Sequence, residues 1–378
     1  MPEGDVAAMG SAKTATAEVG ARGLIYPLGD PPAPGMAVEA APGVLWMRLP
    51  MFMPLNHVNV YAIADGDGWA LIDTGLNNAV TIEAWQTMLA GPLGGRPVHR
   101  VFGTHMHPDH VGLAGWLCEQ TGAALWMSRL EYLTCRVLVA DTGKPAPAEG
   151  VSFYQACGWN RAQIARYTAE FGGFGRGVWP LPQSYNRLSE GDQITIGDDA
   201  WTIVVGSGHS PEHVCLWRKS DGVFISGDQI LPRISSNVSV WPTEPNQDPL
   251  DDWMRSLHRL RDLLPSDLLI LPGHGDPFRG VTTRIDALVR GHETSLKRLE
   301  RTLRKPCRAI DVFPSLFARP VGDAVFGMAT GESVAHLNYL EGQGRARRER
   351  DENGVDWWSS TATEDQDTAD TQETEIQA

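Results

Sequence analysis

The sequence predicts an α/β domain whose strands end in side chains able to bind metal ions. Short apolar runs, such as VHRVFGT at 98–104 and LLILPGHG at 268–275, alternate with segments whose apolar residues have helical spacing. Histidines and aspartates directly follow several of these runs. The chain of 378 residues is 42% hydrophobic, which is enough to bury a full core around such elements.

The N-terminal third begins with a leader and continues with alternating strands and helices. Residues 1–43 are predicted to be a flexible, Pro-rich leader, because the segment PLGDPPAPG favours an extended chain. Two strands, VNVYAIA and WALIDTG, are joined by the turn DGDG. Helical spacing in NNAVTIEAWQTMLAGPL predicts a helix that stops at Gly91. A strand, a helix and a further short strand are predicted over 98–128.

Residues 129–187 interrupt this alternation with a helical, aromatic segment that glycines punctuate. A helical insertion of this kind between regular elements is predicted to be a lid or a wall of the substrate site. Its aromatic residues form either the lid's own small core or an apolar surface facing the substrate. They are Tyr154, Trp159, Tyr167, Phe171, Phe174 and Trp179.

From Leu188 onwards the strand pattern returns and is followed by two amphipathic helices, DPLDDWMRSLHRLRDLLP and VTTRIDALVRGHETSLKRLERTLRK. The main domain is therefore predicted to span residues 44–300. Residues 301–360 are predicted to form a small, helical appendage. Residues 361–378 are acidic and lack aromatic side chains, which predicts a disordered tail.

Charge and cysteine usage exclude several classes of protein. The formal net charge of −14 disfavours a general nucleic-acid binder, which needs a basic surface. The five cysteines are never spaced C-x-x-C, which disfavours a disulfide framework or a cysteine zinc site and fits a reducing compartment. No apolar run reaches the roughly 18 residues of a membrane span, and the N-terminus lacks the apolar core of a signal peptide. We therefore expect a cytoplasmic location without membrane contact.

Seven histidines and aspartates lie where apolar runs end, which is how separate strands bring side chains to one rim of a sheet. Four of them fall on one turn in VFGTHMHPDH, whose alternative interpretation in isolation is an exposed polar loop. Zinc accepts imidazole nitrogen and carboxylate oxygen, and iron or manganese accepts the same donors. Five histidines and two aspartates suffice for two ions if one carboxylate bridges them. The set is His105, His107, Asp109, His110, His209, Asp228 and His274.

These motifs resemble those of the metallo-β-lactamase superfamily over roughly residues 44–300. HMHPDH is similar to the first metal motif of that family, and GSGHSPEH is similar to its third. SGDQI resembles the segment with its bridging aspartate, PGHG its last histidine, and LIDTG an early strand. The resemblance implies a four-layer αββα sandwich with the metals at one edge.

Carried over position by position, the resemblance implies two metal sites, with the ligands His105, His107 and His209 in one and Asp109, His110 and His274 in the other. Asp228 would bridge the two ions, and Asp73 would brace the site from outside the ligands. His213 would have a structural, hydrogen-bonding role. Two zinc ions per chain would then hold a hydroxide that attacks an electrophilic carbonyl or phosphorus. Asp109 and Asp228 are therefore the expected catalytic carboxylates.

The details of the motifs favour one branch of this superfamily. No cysteine stands at a ligand position and Asp228 is a carboxylate, which is similar to glyoxalase II-type thioesterases. The short interval between Asp228 and His274 leaves no room for the larger domain inserted in nucleic-acid-processing members. Residues 301–360 resemble the winged-helix-like appendage of the lactamase-beta-2-like branch.

The leading hypothesis is therefore a dinuclear zinc hydrolase of a small acyl thioester, ester or lactone. One alternative is a metal-dependent single-strand ribonuclease, motivated by the appendage and the basic helix around Arg298. Another is a mononuclear iron oxygenase of the persulfide dioxygenase kind, which uses a subset of the same ligands. A binding module without activity is the fourth. The sequence leaves the native metal and the oligomeric state open.

Overall fold

The computed structural model of the protein describes residues 18–19, 23–52 and 55–362. Two short strands, β1 (Glu18–Val19) and β2 (Ile25–Tyr26), pair ahead of the main sheets. Seven of the described strands then form one sheet whose spatial order follows the chain. They are β3 (Ala37–Ala41), β4 (Val44–Pro50), β5 (His57–Asp65), β6 (Gly68–Ile72), β7 (Val98–Phe102), β8 (Ala124–Ser128) and β9 (Asn186–Leu188).

A second sheet also follows chain order and is antiparallel except for its last pair, which is parallel. In the first sheet, pairing is antiparallel from β3 to β6 and parallel from β6 to β9. The strands of the second sheet are β10 (Gln193–Ile196), β11 (Asp199–Gly206), β12 (His213–Arg218), β13 (Val223–Gly227) and β14 (Leu269–Pro272).

The two sheets pack face to face and helices cover their outer faces, so the predicted αββα sandwich is confirmed. Trp46 and Phe102 of the first sheet share one buried cluster with Trp201 and Leu216 of the second. The helices are α1 (Ala79–Ala90), α2 (Pro108–Val111), α3 (Ala114–Thr121), α4 (Arg129–Ala140), α5 (Ala148–Ala156), α6 (Arg161–Glu170), α7 (Pro249–Leu263), α8 (Val281–Thr302), α9 (Phe313–Leu316) and α10 (Phe326–Gly342). α1 and α3 pack on the first sheet, and α7, α8 and α10 share the core outside the second.

The topology brings the ends of five strands to one edge of the sandwich. β6 and β7 run parallel, as do β13 and β14, and β11 has the direction of β13 because β12 lies antiparallel between them. The carboxyl ends of these strands therefore share one edge, which is the edge that binds ligands in open α/β sheets.

The predicted flexible leader over residues 1–43 is wrong in its second half. Ala37–Ala41 is an edge strand paired with β4, and Leu24 is only 1% exposed. The prolines that suggested an extended leader lie in the loop before β3, where they do not remove a ladder hydrogen bond. Residues 1–17 lie outside the described residues, as does the predicted tail from 363 onwards.

The inserted segment 129–187 is helical, as predicted. Tyr154 stacks on Trp159 with ring centroids 4.1 Å apart and also contacts Tyr167 at 4.7 Å. Trp159 in turn meets Phe326 of α10 at 5.3 Å. These rings pack against each other and against α10, whereas Phe174 and Trp179 pack against the core of the first sheet, so only part of the aromatic set forms a core within the segment.

The C-terminal region continues the helical layer without a break. The predicted boundary at residue 300 falls inside α8, which runs to Thr302. α10 is followed by a hairpin of β15 (Ala346–Arg350) and β16 (Asp356–Ser360), the order of elements expected for a helix and a wing. Across the described residues, every helix is too short or too polar to cross a bilayer.

Candidate metal centre

The turn after β7 and the loop after β11 together place three of the predicted ligands around one point. β7 ends at Phe102, and α2 starts at Pro108, which fixes the turn that carries HMHPDH. His107 Nδ1 lies 3.0 Å from His105 Nε2 and 3.0 Å from His209 Nε2. The third side of this triangle, from His209 Nε2 to His105 Nε2, is 3.3 Å.

A second group lies directly beside the first. Oδ2 of Asp109 is 3.3 Å from Nε2 of His274 and 3.7 Å from Nε2 of His110. Asp228 sits between the groups, because its carboxylate is 3.4 Å from both His110 and His274 and 3.6 Å from His209. The structure thus brings together all seven side chains that the sequence predicted as ligands.

The spacing of these atoms fits metal ions. A tetrahedral ion with ligands at about 2.0–2.1 Å has ligand atoms about 3.3 Å apart, which is close to the observed imidazole triangle. His110 Nε2 and Asp228 Oδ1 are buried and have no hydrogen-bond partner within the described chain, as expected for atoms whose partner is a cation. Gly273 leaves room for them, since a Cβ there would lie 2.3 Å from Asp228 Oδ1.

The second imidazole nitrogen of four ligands is held by an acceptor. Nδ1 of His105 lies 3.0 Å from Thr104 Oγ1, whose own hydroxyl hydrogen points to Asp73. Nδ1 of His209 donates to the Asn237 main-chain oxygen at 2.7 Å, and that of His274 donates to the His57 oxygen at 2.7 Å. These bonds place the proton on Nδ1 and leave the lone pair of Nε2 directed at the shared points.

Asp73 supplies the fourth acceptor and ties two ligands to one carboxylate. Its Oδ2 accepts from His110 Nδ1 at 2.7 Å and from Thr104 Oγ1 at 2.8 Å, and its Oδ1 accepts from Thr104 N at 2.8 Å. Asp73 also has a positive φ of 61°, and it is the one non-glycine residue in the described part of the chain that does. Such strain persists where surrounding contacts hold the backbone in place, and it concentrates at functional sites. The structure thus places Asp73 where the sequence predicted a brace.

His213 lies behind the ligands rather than among them. It is fully buried, and its Nε2 accepts from the main-chain N–H of Asp228 at 3.0 Å. Its ring stacks on His105 with centroids 4.7 Å apart. This position matches the predicted structural, hydrogen-bonding role.

The electrostatics differ between the two groups. Burial and the neighbouring histidines hold the pKa of His107 at about 3, so its imidazole is neutral and able to bind a cation. Burial also lowers the pKa of His274, but the Asp228 and Asp109 carboxylates outweigh this effect and raise that pKa to about 10. Burial would raise the pKa of Asp109, yet His110 and His274 lower it to about 2. The carboxylate-containing group therefore attracts positive charge strongly.

Sequence reasoning missed Asn59, which joins the two sheets next to His274. Its Nδ2 donates to the main-chain oxygens of Pro272 and Gly275 at 2.9 and 2.7 Å. Its Oδ1 accepts from Trp46 Nε1 at 2.9 Å and from Arg48 Nε at 3.0 Å. A polar residue inside the otherwise apolar strand HVNVYAIAD was the available signal.

Glu131 was also missed, although it links the two loops that carry the first group of ligands. The residue is fully buried near the start of α4. Its carboxylate accepts from the main-chain N–H of Met106 at 2.8 Å and from that of Glu212 at 2.7 Å. Burial raises its pKa to about 7. A glutamate in the first turn of a helix is ordinary in a sequence, so no local signal marks it.

Replacing Glu131 with glutamine is expected to lower the free energy of unfolding by about 1–3 kcal/mol, because one buried N–H then faces an amide that donates instead of accepting. Denaturant unfolding of the metal-free protein measures this change. Glu119→Gln is the matched control on an exposed position of α3. Equal stability of both variants would show that Glu131 does not hold the loops together.

Comparison with known proteins identifies the family to which this chain belongs. The sequence model of the metallo-beta-lactamase superfamily matches residues 53–274, more than half of the chain, and the model of the metallo-beta-lactamase-like C-terminal domain matches 296–361. A solved beta-lactamase domain protein from Burkholderia ambifaria is 37% identical, with a TM-score of 0.82 over 89% of this chain and 98% of that one.

Two curated relatives are similar over much of their length. The protein named probable metallo-hydrolase YqjP from Bacillus subtilis is 25% identical over 79% of this chain and 92% of its own. The acyl-coenzyme A thioesterase MBLAC2 of Gallus gallus is 26% identical over 62% of this chain and 79% of its own. Together with the sandwich and the histidine-rich edge, these matches show that the chain belongs to the metallo-β-lactamase superfamily of hydrolases.

Proposed function

We propose that the protein hydrolyses acyl thioesters at a dinuclear zinc centre. The observation that carries the proposal is the position of Asp228, which lies between a group of three imidazoles and a group of two imidazoles and one carboxylate. One carboxylate shared between two donor groups is the arrangement that two neighbouring ions require. The donors are nitrogen and oxygen atoms, which suit zinc.

The side chains of the centre have separate tasks. When bound, two zinc ions would acidify a water molecule and polarise the carbonyl of the substrate. His105, His107 and His209 present neutral nitrogens to one position, and the remaining ligands supply the negative charge of the other. Asp109 has 20% of its side chain exposed, compared with none for His110, so its carboxylate is within reach of an incoming water. It is the group we expect to orient that water.

A thioester fits the site better than a nucleic acid does. The relatives named as thioesterases include the Gallus gallus protein and an Aspergillus fumigatus protein named atrochrysone carboxyl ACP thioesterase. The arginines in and directly before the C-terminal hairpin, which could suggest RNA binding, are paired with carboxylates of the protein. Arg345 contacts Glu300 at 2.6 Å, and Arg350 contacts Asp356 at 2.7 Å. The neighbouring carboxylates partly neutralise these arginines, which weakens their attraction for a phosphate backbone.

Metal analysis combined with a thioester assay tests this proposal. We expect about two zinc ions per chain, the number that the two donor groups require, and hydrolysis of butanoyl-coenzyme A by the zinc-loaded protein. His105→Ala is expected to lose metal and activity together. His258→Ala, on the exposed face of α7, is the matched control.

The other outcomes separate the competing functions. A single iron per chain with consumption of oxygen and a persulfide would replace the proposal with an oxygenase. Cleavage of single-stranded RNA without thioester hydrolysis would replace it with a nuclease. A zinc-loaded protein that hydrolyses no thioester in a panel of acyl chains would overturn it.

A further inference from the structure

A groove with apolar walls lies beside the metal centre, between the loop after β13 and the segment that joins α9 to α10. Its volume is about 690 Å³, which is within the range of small-ligand sites. The loop contributes Ile234, which is 42% exposed. The opposite wall is formed chiefly by Phe317, Val321, Val325 and Met328. Concave apolar surface left open to solvent is typical of a ligand site.

The groove and the metal centre meet at Asn237. This residue lines the groove, and its main-chain oxygen accepts the hydrogen bond from Nδ1 of the metal-site residue His209 at 2.7 Å. Its side chain is held from both ends, by donation to Glu332 at 2.7 Å and by acceptance from Ser239 at 2.6 Å. The groove is therefore separated from the candidate ligand His209 by a single hydrogen bond.

We propose that this groove binds the acyl chain of the substrate and makes the protein selective for medium-length linear acyl groups. The inference rests on the proposed thioester hydrolysis and adds the class of acyl group to it. Aliphatic and aromatic walls favour an alkyl chain, because each buried methylene is removed from water. The side chains of Asn237 and Glu332 hydrogen-bond to each other, so a ligand without polar groups leaves this hydrogen bond intact.

The chain's acidic C-terminal segment is a poor occupant of such a groove. The last residues, EDQDTADTQETEIQA, carry six acidic side chains and no aromatic one. Seating them against Phe317 and Val321 would remove six carboxylates from water, and Arg319 is the one cationic side chain among the described residues that line the groove. The alternative occupant is a second copy of the protein, which would cover the groove from outside. In that case the protein would be a dimer in solution, and alkyl ligands would dissociate it.

Chain-length selectivity tests the proposal on the zinc-loaded protein. We expect kcat/KM to rise by at least about twofold per methylene from acetyl- to octanoyl-coenzyme A, since complete burial would give about fourfold. Val321→Trp fills the groove from a loop position and is expected to lower kcat/KM for octanoyl at least tenfold, with little change for acetyl. Leu263→Trp is the control, at an apolar position on α7 that is 41% exposed and does not line the groove. A flat chain-length profile, or equal loss for both substrates, would overturn the groove as acyl site.

A binding measurement separates this inference from the proposed activity. Dansylaminoundecanoic acid, an alkyl probe that needs no hydrolysis, is expected to bind the wild-type protein and Leu263→Trp equally and Val321→Trp at least tenfold more weakly. Probe binding with this pattern, but without thioester hydrolysis, would support the groove as the alkyl-binding site and contradict the proposed function. Thioester hydrolysis without chain-length dependence and without probe binding would support the proposed function and contradict the groove as the alkyl-binding site. Probe binding that Val321→Trp leaves unchanged would place the alkyl site elsewhere and contradict the proposal.

Discussion

Replacing Asp228 with alanine is expected to lower kcat/KM by at least about a thousandfold and to reduce the bound zinc to about one ion per chain. The carboxylate lies 3.4 Å from two imidazoles of one group and 3.6 Å from an imidazole of the other, whereas the Asp109 carboxylate contacts imidazoles of one group only. Loss of one metal removes several kcal/mol of transition-state stabilisation, which corresponds to this factor. Elemental analysis and steady-state kinetics on the same preparation measure both effects.

The control for this substitution is Asp262→Ala on the exposed end of α7. It removes the same charge from the protein without touching the metal centre, so metal content and kcat/KM should remain those of the wild type. If Asp228→Ala retained two zinc ions, Asp228 would not be the shared ligand. If it lost one ion but kept its activity, a single metal would carry the chemistry.

The candidate ligands could be predicted from the sequence because each one lies in the segment that follows a strand. Buried strands are short apolar runs, and a histidine or aspartate directly after such a run has few structural reasons to be there. His105, Asp228 and His274 all have this context, and the parallel pairing of β13 with β14 brings two of them to the same edge. The spacing within HMHPDH added the strongest signal, since one turn can direct several side chains to a common point.

The supports of the ligands could not be found in this way. His209 and His274 are oriented by main-chain oxygens of Asn237 and His57, and every residue has such an oxygen. Glu131 acts through two main-chain N–H groups that are 25 and 81 residues away in sequence. Contacts of this kind depend on how loops meet in space, and they leave no pattern of residue types.

The leader boundary failed for a different physical reason. The edge strand Ala37–Ala41 is short, pairs with one neighbour and has only one buried residue, Ala40. Its sequence, AVEAA, therefore shows neither the alternation nor the β-branched content that marks a central strand. The strand forms because β4 has an open edge with which it can pair. The sequence of residues 37–41 alone therefore does not indicate a strand.

Replacing Asp73 with asparagine is expected to weaken zinc binding by about 10–100-fold while leaving the fold intact. Asparagine tolerates the left-handed backbone at this position, where φ is 61°, so the substitution tests the carboxylate and not the strain. One amide oxygen cannot replace two carboxylate oxygens that accept from Thr104 and His110, so the His110 imidazole loses its fixed orientation. Competition with a chelator measures the affinity, thermal unfolding checks the fold, and Asp198→Asn in an exposed turn is the control. Zinc affinity within twofold of the wild type would show that the ligands hold their orientation without this carboxylate.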